Sequence, residues 1–172
     1  NCDDVFEKAL FDAEEALTLI RARADEYNLI PDKIAVCGFS AGGHLAAGLA
    51  TLGKIRPDAL ILGYPCISGY GCSDKVLYSN VPTLDDKVNS ENPPTFIFST
   101  CSDSSVPIDS SLSFAKALNK NGISFELHIF SDGPHGLAMS NPVTAEKNSN
   151  GDNRDVAKWV PMCQSWLYRR FI

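Results

Sequence analysis

Three residues of types that together can break an acyl bond stand far apart in the chain. Ser40 lies in Gly38-Phe39-Ser40-Ala41-Gly42-Gly43-His44, a GxSxG pattern directly after the apolar run Lys33-Ile34-Ala35-Val36-Cys37 and directly before an Ala- and Leu-rich run over 41–52. A strand that turns so sharply into a helix thrusts the middle side chain outward, and Gly38 and Gly42 give the turn its room. The helix then points its N-terminal dipole and the Ala41 N–H at any negative oxygen that forms beside the serine. A Gly-rich turn that cradles phosphate is the alternative. A serine hydroxyl attacks a carbonyl only when a histidine takes its proton, and that histidine needs a carboxylate to hold its tautomer and offset its charge.

The chain has 3 histidines. His44 falls one turn into the helix after Ser40 and reads as a packing residue. His128 alternates within Phe125-Glu126-Leu127-His128-Ile129-Phe130 and reads as structural. His135, in Ser131-Asp132-Gly133-Pro134-His135-Gly136-Leu137, follows that run in a Gly- and Pro-shaped loop and is the candidate base. For the acid, Asp103 follows the run Thr95-Phe96-Ile97-Phe98-Ser99-Thr100. Asp109 stands where a cap for the next helix is expected. Asp132 is too near His135 in sequence to reach its ring without a tight loop.

The elements that must position these residues alternate. Residues 4–27, with Val5, Ala9, Ala13, Leu17 and Ile20 at helical spacing, predict an amphipathic helix capped by Asp3 or Asp4. Residues 33–38 predict a short strand buried on both faces, and 41–52 a helix closed by Gly53. Further strands are expected over 59–64, 95–100 and 125–130, with a helix over 110–118. Residues 66–93 read as a loop with a short helix and 139–154 as a polar loop. A last helix carries Val156, Trp159, Val160, Cys163, Trp166 and Leu167 on one stripe, with Pro161 kinking it or marking its first turn. Apolar strands separated by helices imply one domain over 1–172, an α/β fold with a parallel sheet and helices on both faces. Ligands gather beyond the carboxyl ends of such strands, where Ser40, Asp103 and His135 all fall.

Composition excludes other classes. The 172 residues are 44% hydrophobic and 21% charged, enough for a core, and the net charge of −6 with no basic block longer than Arg169-Arg170 argues against nucleic acid. Apolar runs are far short of the roughly 20 residues of a membrane helix. The polar first residues lack a secretion signal's features. The 6 cysteines, without a CxxC pair, read as reduced thiols and point to the cytoplasm, with a Cys66-Cys72 disulfide the exception. No metal or organic cofactor is expected, since no pair of histidines or cysteines has ligand spacing.

The order Ser40, Asp103, His135 is that of α/β-hydrolases. The stretches Asp32 to Ala46, Gly63-Tyr64-Pro65, Pro93-Pro94-Thr95-Phe96, and Phe125 to Leu137 resemble the acetyl esterase and xylan esterase-like branch of that superfamily. The resemblance runs down to Trp159 and Trp166-Leu167. It implies a serine esterase of short acyl esters, often acetyl groups on carbohydrate. It also implies that these are the last four of eight strands, in a chain incomplete on its N-terminal side. The HGG loop that gives such enzymes another oxyanion N–H has no counterpart here, so Ala41 is the one oxyanion donor assigned. A prolyl-oligopeptidase-like peptidase and a non-catalytic binding module are the rivals; Ala41 stands where the former usually has an aromatic residue. An open edge on the 33–38 strand would favour association with a second copy.

Overall fold

In the computed structural model, which describes residues 4–67, 81–141, 143–144 and 155–172, the apolar runs pair side by side. Strands β1 (Ala35–Phe39), β2 (Ala59–Gly63), β3 (Thr95–Thr100) and β4 (Phe125–Phe130) form one sheet in the order β1-β2-β3-β4. All three pairings are parallel, with Val36 opposite Leu60, Ile61 opposite Phe96, and Phe98 opposite His128. Helices α1 (Val5–Ala22), α2 (Ser40–Leu52), α3 (Asp109–Lys120) and α4 (Trp159–Phe171) complete the described framework.

Because side chains alternate across each strand, the sheet makes two cores. On one face Leu60, Leu62 and Ile97 pack against Ala46, Ala47 and Ala50 of α2 and Phe114, Ala115 and Leu118 of α3. On the other, Ile61, Phe96 and Phe98 meet Trp159, Cys163 and Trp166 of α4. Trp159 stacks on Phe98 with centroids 4.4 Å apart. Helix α1 lies against α2, where the Phe6 ring fills the space left by the absent side chain of Gly48.

Several local expectations are corrected. Strand β1 lies at the edge of the described sheet, as expected, but its two faces are only partly covered and Cys37 is exposed, so the expectation of burial on both faces is corrected. Helix α1 ends at Ala22 rather than 27, and its Val5 and Ile20 are exposed while Leu17 is buried. Asp4 occupies the cap position of α1 without a capping bond and pairs with Lys8 at 2.6 Å instead. Asp109 is not a cap: α3 starts at Asp109 itself, placing the carboxylate in the first turn, where the helix dipole favours it. Gly53 closes α2 in an extended conformation, φ −61°, rather than a left-handed one. Pro161, by contrast, falls where one of its two expected placements put it, in the first turn of α4, where no N–H is required of it. Cys66 is disulfide-bonded, so the six cysteines are not all reduced thiols. Cys72, the pairing partner considered for it, lies outside the described residues, as do 68–80 and 145–154 of the two expected loops. The described part of 66–93 includes a 3-10 turn at Asp85–Lys87. No helix of the described residues is long and apolar enough to cross a membrane.

Candidate active site

Strand β1 stops at Phe39 and α2 starts at Ser40, so one residue takes up the whole change of direction. Ser40 does so with φ +53°, a left-handed conformation that costs about 1–3 kcal/mol outside glycine and survives only where its surroundings enforce it. A Cβ on Gly38 would lie 2.2 Å from the Gly42 carbonyl oxygen, which explains glycine there. The same need does not hold at Gly42, where an added Cβ meets no described atom within 4 Å. The close approach falls one residue later, because Gly43 faces the turn after β2 and its Cβ would lie 2.9 Å from that of Pro65.

Ser40, His135 and Asp103 form one hydrogen-bonded chain. The Ser40 hydroxyl donates to His135 Nε2 over 2.7 Å, and His135 Nδ1–H donates to Asp103 Oδ2 over 2.7 Å. The other carboxylate oxygen, Oδ1, accepts the N–H groups of Ser105 at 2.8 Å and Val106 at 2.9 Å. Burial pushes the Asp103 carboxyl up, but the bonds from His135, Val106 and Ser105 outweigh it and hold the group below the usual carboxylate range. Asp103 therefore stays ionised beside the imidazole. Asp109 and Asp132 are both exposed. Ala41 lies in the first turn of α2, whose N–H groups have no acceptor within the helix. His44 and His128 bond elsewhere, Nδ1 of the former with the Cys66 carbonyl at 2.7 Å and Nε2 of the latter with Glu126 at 2.9 Å. Burial holds His44 below its ordinary pKa despite that backbone bond, so its ring is neutral.

The loop bearing His135 is clamped to the end of β3. Thr100 Oγ1–H donates to the Gly133 carbonyl at 2.7 Å, and Ser102 Oγ accepts the Gly133 N–H at 2.8 Å. A second tie runs through the turn after β2. The Cys66 N–H donates to the Ser40 carbonyl at 3.2 Å, and the Tyr64 hydroxyl accepts the Ala138 N–H at 2.9 Å. The Ala138 carbonyl in turn accepts Trp159 Nε1–H at 2.9 Å. Sequence reasoning assigned none of Tyr64, Thr100, Ser102 and Trp159 to the site. The available signal was position: Tyr64, Thr100 and Ser102 all lie at carboxyl ends of strands. Among the described residues no group of three or more His, Cys, Asp or Glu side chains is placed to hold a metal ion.

Comparison with known proteins brings two family profiles onto the chain, BD-FAE over residues 2–60 and the prolyl oligopeptidase family over residues 64–160. Endo-1,4-beta-xylanase B of Butyrivibrio fibrisolvens is 36% identical over 157 residues, which is 77% of this chain and 25% of the xylanase. Acetylxylan esterase of Xylanibacter ruminicola is 28% identical over 147 residues, 74% of this chain and 31% of the esterase. The chain thus spans a quarter to a third of the length of these curated relatives. Among solved structures, MGS-M1, an alpha/beta hydrolase enzyme from a Medee basin deep-sea metagenome library, superposes with a TM-score of 0.85 at 40% identity, covering 94% of this chain and 64% of that one.

Proposed function

From the premise that the chain belongs to the prolyl oligopeptidase family within the α/β-hydrolase superfamily, on its acetyl- and xylan-esterase-like side, we propose that it acts as a serine carboxylesterase on short acyl esters, foremost acetyl groups on carbohydrate such as xylan. The observation that carries this reading is the chain of 2.7 Å bonds from Ser40 through His135 to Asp103, mounted on a strained elbow.

His135 Nε2 takes the Ser40 proton as Oγ attacks the ester carbonyl, and the Ala41 N–H stabilises the resulting oxyanion. Asp103 keeps Nδ1 protonated and Nε2 free to accept, and it stabilises the imidazolium. As the intermediate collapses, His135 returns the proton to the departing alcohol, leaving an acyl group on Ser40. Water activated by His135 then attacks that acyl group, and the carboxylic acid leaves. The acetylxylan esterase relative supports the acyl and carbohydrate assignment. The family profile over 64–160 favours peptide bonds as the second reading, against which stands Ala41, small where such peptidases usually carry an aromatic residue.

The test is labelling with an active-site fluorophosphonate, beside turnover of p-nitrophenyl acetate and of a prolyl p-nitroanilide peptide. One label at Ser40, lost in Ser40→Ala together with about 10⁴ to 10⁶ of the acetate turnover, is the expected result. Label on another serine, with Ser40 untouched, sinks the assignment. Preference for the anilide transfers it to peptidases.

A further inference from the structure

No step of this hydrolysis uses Gly63-Tyr64-Pro65, yet Tyr64 is held where a tyrosine goes only under constraint. Its φ is +36°, its side chain is buried, and its N–H donates to the Phe98 carbonyl over 2.7 Å. Strain of that kind persists where the surroundings over-determine it, and it gathers at functional sites. Here it aims two parts of one side chain at the loop bearing His135. The ring meets the imidazole edge to face, centroids 4.9 Å apart, and the hydroxyl accepts the Ala138 N–H over 2.9 Å.

Both nitrogens of His135 are already engaged, Nε2 with Ser40 and Nδ1 with Asp103, so Tyr64 exchanges no proton with it. What Tyr64 supplies is place. The loop needs it, because Gly136 and Ala138 carry φ values of +81° and +47° and make no regular element. Ala138 is gripped from both sides, its N–H by the Tyr64 hydroxyl and its carbonyl by Trp159 Nε1–H at 2.9 Å.

We propose that Tyr64 is a positioning residue: its hydroxyl pins the Ala138 peptide while its ring buttresses the imidazole, and the two together set the height and tilt of His135 over Ser40. Trp159 secures the carbonyl of the same residue, one peptide group further on. The inference rests on Ser40 and His135 being nucleophile and base. The competing account is a plain core aromatic, since the ring also packs against Phe39 at 5.8 Å and Phe98 at 5.7 Å. The hydroxyl separates the two, because Tyr64→Phe keeps the packing and loses only the acceptor.

The experiment measures, on the full gene product, the rate of fluorophosphonate labelling at Ser40, kcat and KM for p-nitrophenyl acetate, Tm, and the low-field proton signal of His135 Nδ1–H. Misplacing a reacting group by an ångström can lower a rate about a hundredfold. Tyr64→Phe is expected to slow labelling and kcat by about tenfold to a hundredfold with KM unchanged, and to broaden the low-field signal. Trp159→Phe should act in the same direction, and the double variant should lose less than the product of the two, as expected of groups acting through one residue, Ala138. Labelling of Tyr64→Phe at the wild-type rate overturns the proposal. So does a rate loss that disappears when the assay is run well below the variant's Tm, which marks Tyr64 as core alone. Failure of wild-type Ser40 to label overturns the hydrolase reading along with it, an outcome distinct from the other two.

Discussion

Asp103 carries its charge where water barely reaches, with 2% of its side chain exposed. Three donors hold it there, and their sum leaves its carboxyl below the ordinary range. A carboxyl whose pKa is lower folded than unfolded contributes stability that is complete above the unfolded value, about 3.9, and is lost as the pH falls through the folded value. Acid titration of the fold should therefore show a component that begins near pH 4 and deepens below it. Asp103→Asn should remove that component in urea unfolding followed across pH, and should lower kcat by about 10⁴ by favouring the wrong tautomer. Near-normal turnover in that variant moves the role to another carboxylate. At this scale the sequence was readable, because 3 histidines and a strand-turn-helix serine leave few combinations. Tyr64 and Trp159 were not, because an aromatic beside a strand end has the same pattern whether it fills a core or grips a loop.

Elements place these side chains by where they stop. Strand β3 ends at Thr100, and the hydroxyls of Thr100 and Ser102 just beyond it seize the Gly133 peptide two residues before His135. Ser102→Ala removes one partner of the Gly133 N–H, a loss of about 1 kcal/mol, or roughly 3 °C in Tm for a chain of this size. A thermal shift assay reads it, and an unchanged Tm means the clamp is held by Thr100 alone. The strands and helices themselves were legible from apolar runs and helical spacing. Their ends were less so, since caps depend on contacts that periodicity does not encode. Asp109 shows the difficulty: the residue type suits a cap, but the helix begins at it rather than after it.

At the scale of the whole molecule, the feature that the strand patterns could not convey is the exposure of β1. Its residues are as apolar as those of β2, yet β2 is buried throughout and β1 lies at the sheet's edge with Cys37 exposed. Burial depends on neighbours, and a run of apolar residues does not number its neighbours. Unpaired N–H and C=O groups along such a strand are a template for other chains, and exposed Val5, Phe11 and Leu19 on α1 add apolar surface that favours association. The 172-residue chain expressed by itself should thus associate at micromolar concentration. Cys37→Lys should shift it toward monomer by placing a charge on that edge. Light scattering checks both, and a stable monomer for the unmodified chain contradicts the open-edge account.

The sheet's order, with each strand beside its successor and all parallel, bears on how the molecule is born. Ser40 and His135 are 95 residues apart, so at about 5–20 residues per second of synthesis the serine leaves the ribosome roughly 5–19 s before its base exists. During that interval the hydroxyl is an ordinary alcohol, with no group to take its proton. The Ser40–His135 contact can therefore form only after β4 has docked and the loop beyond it has been seized by the turns after β2 and β3. A nascent chain stalled before Phe125 should leave fluorophosphonate unreacted, whereas one in which the elements through α4 have emerged should react.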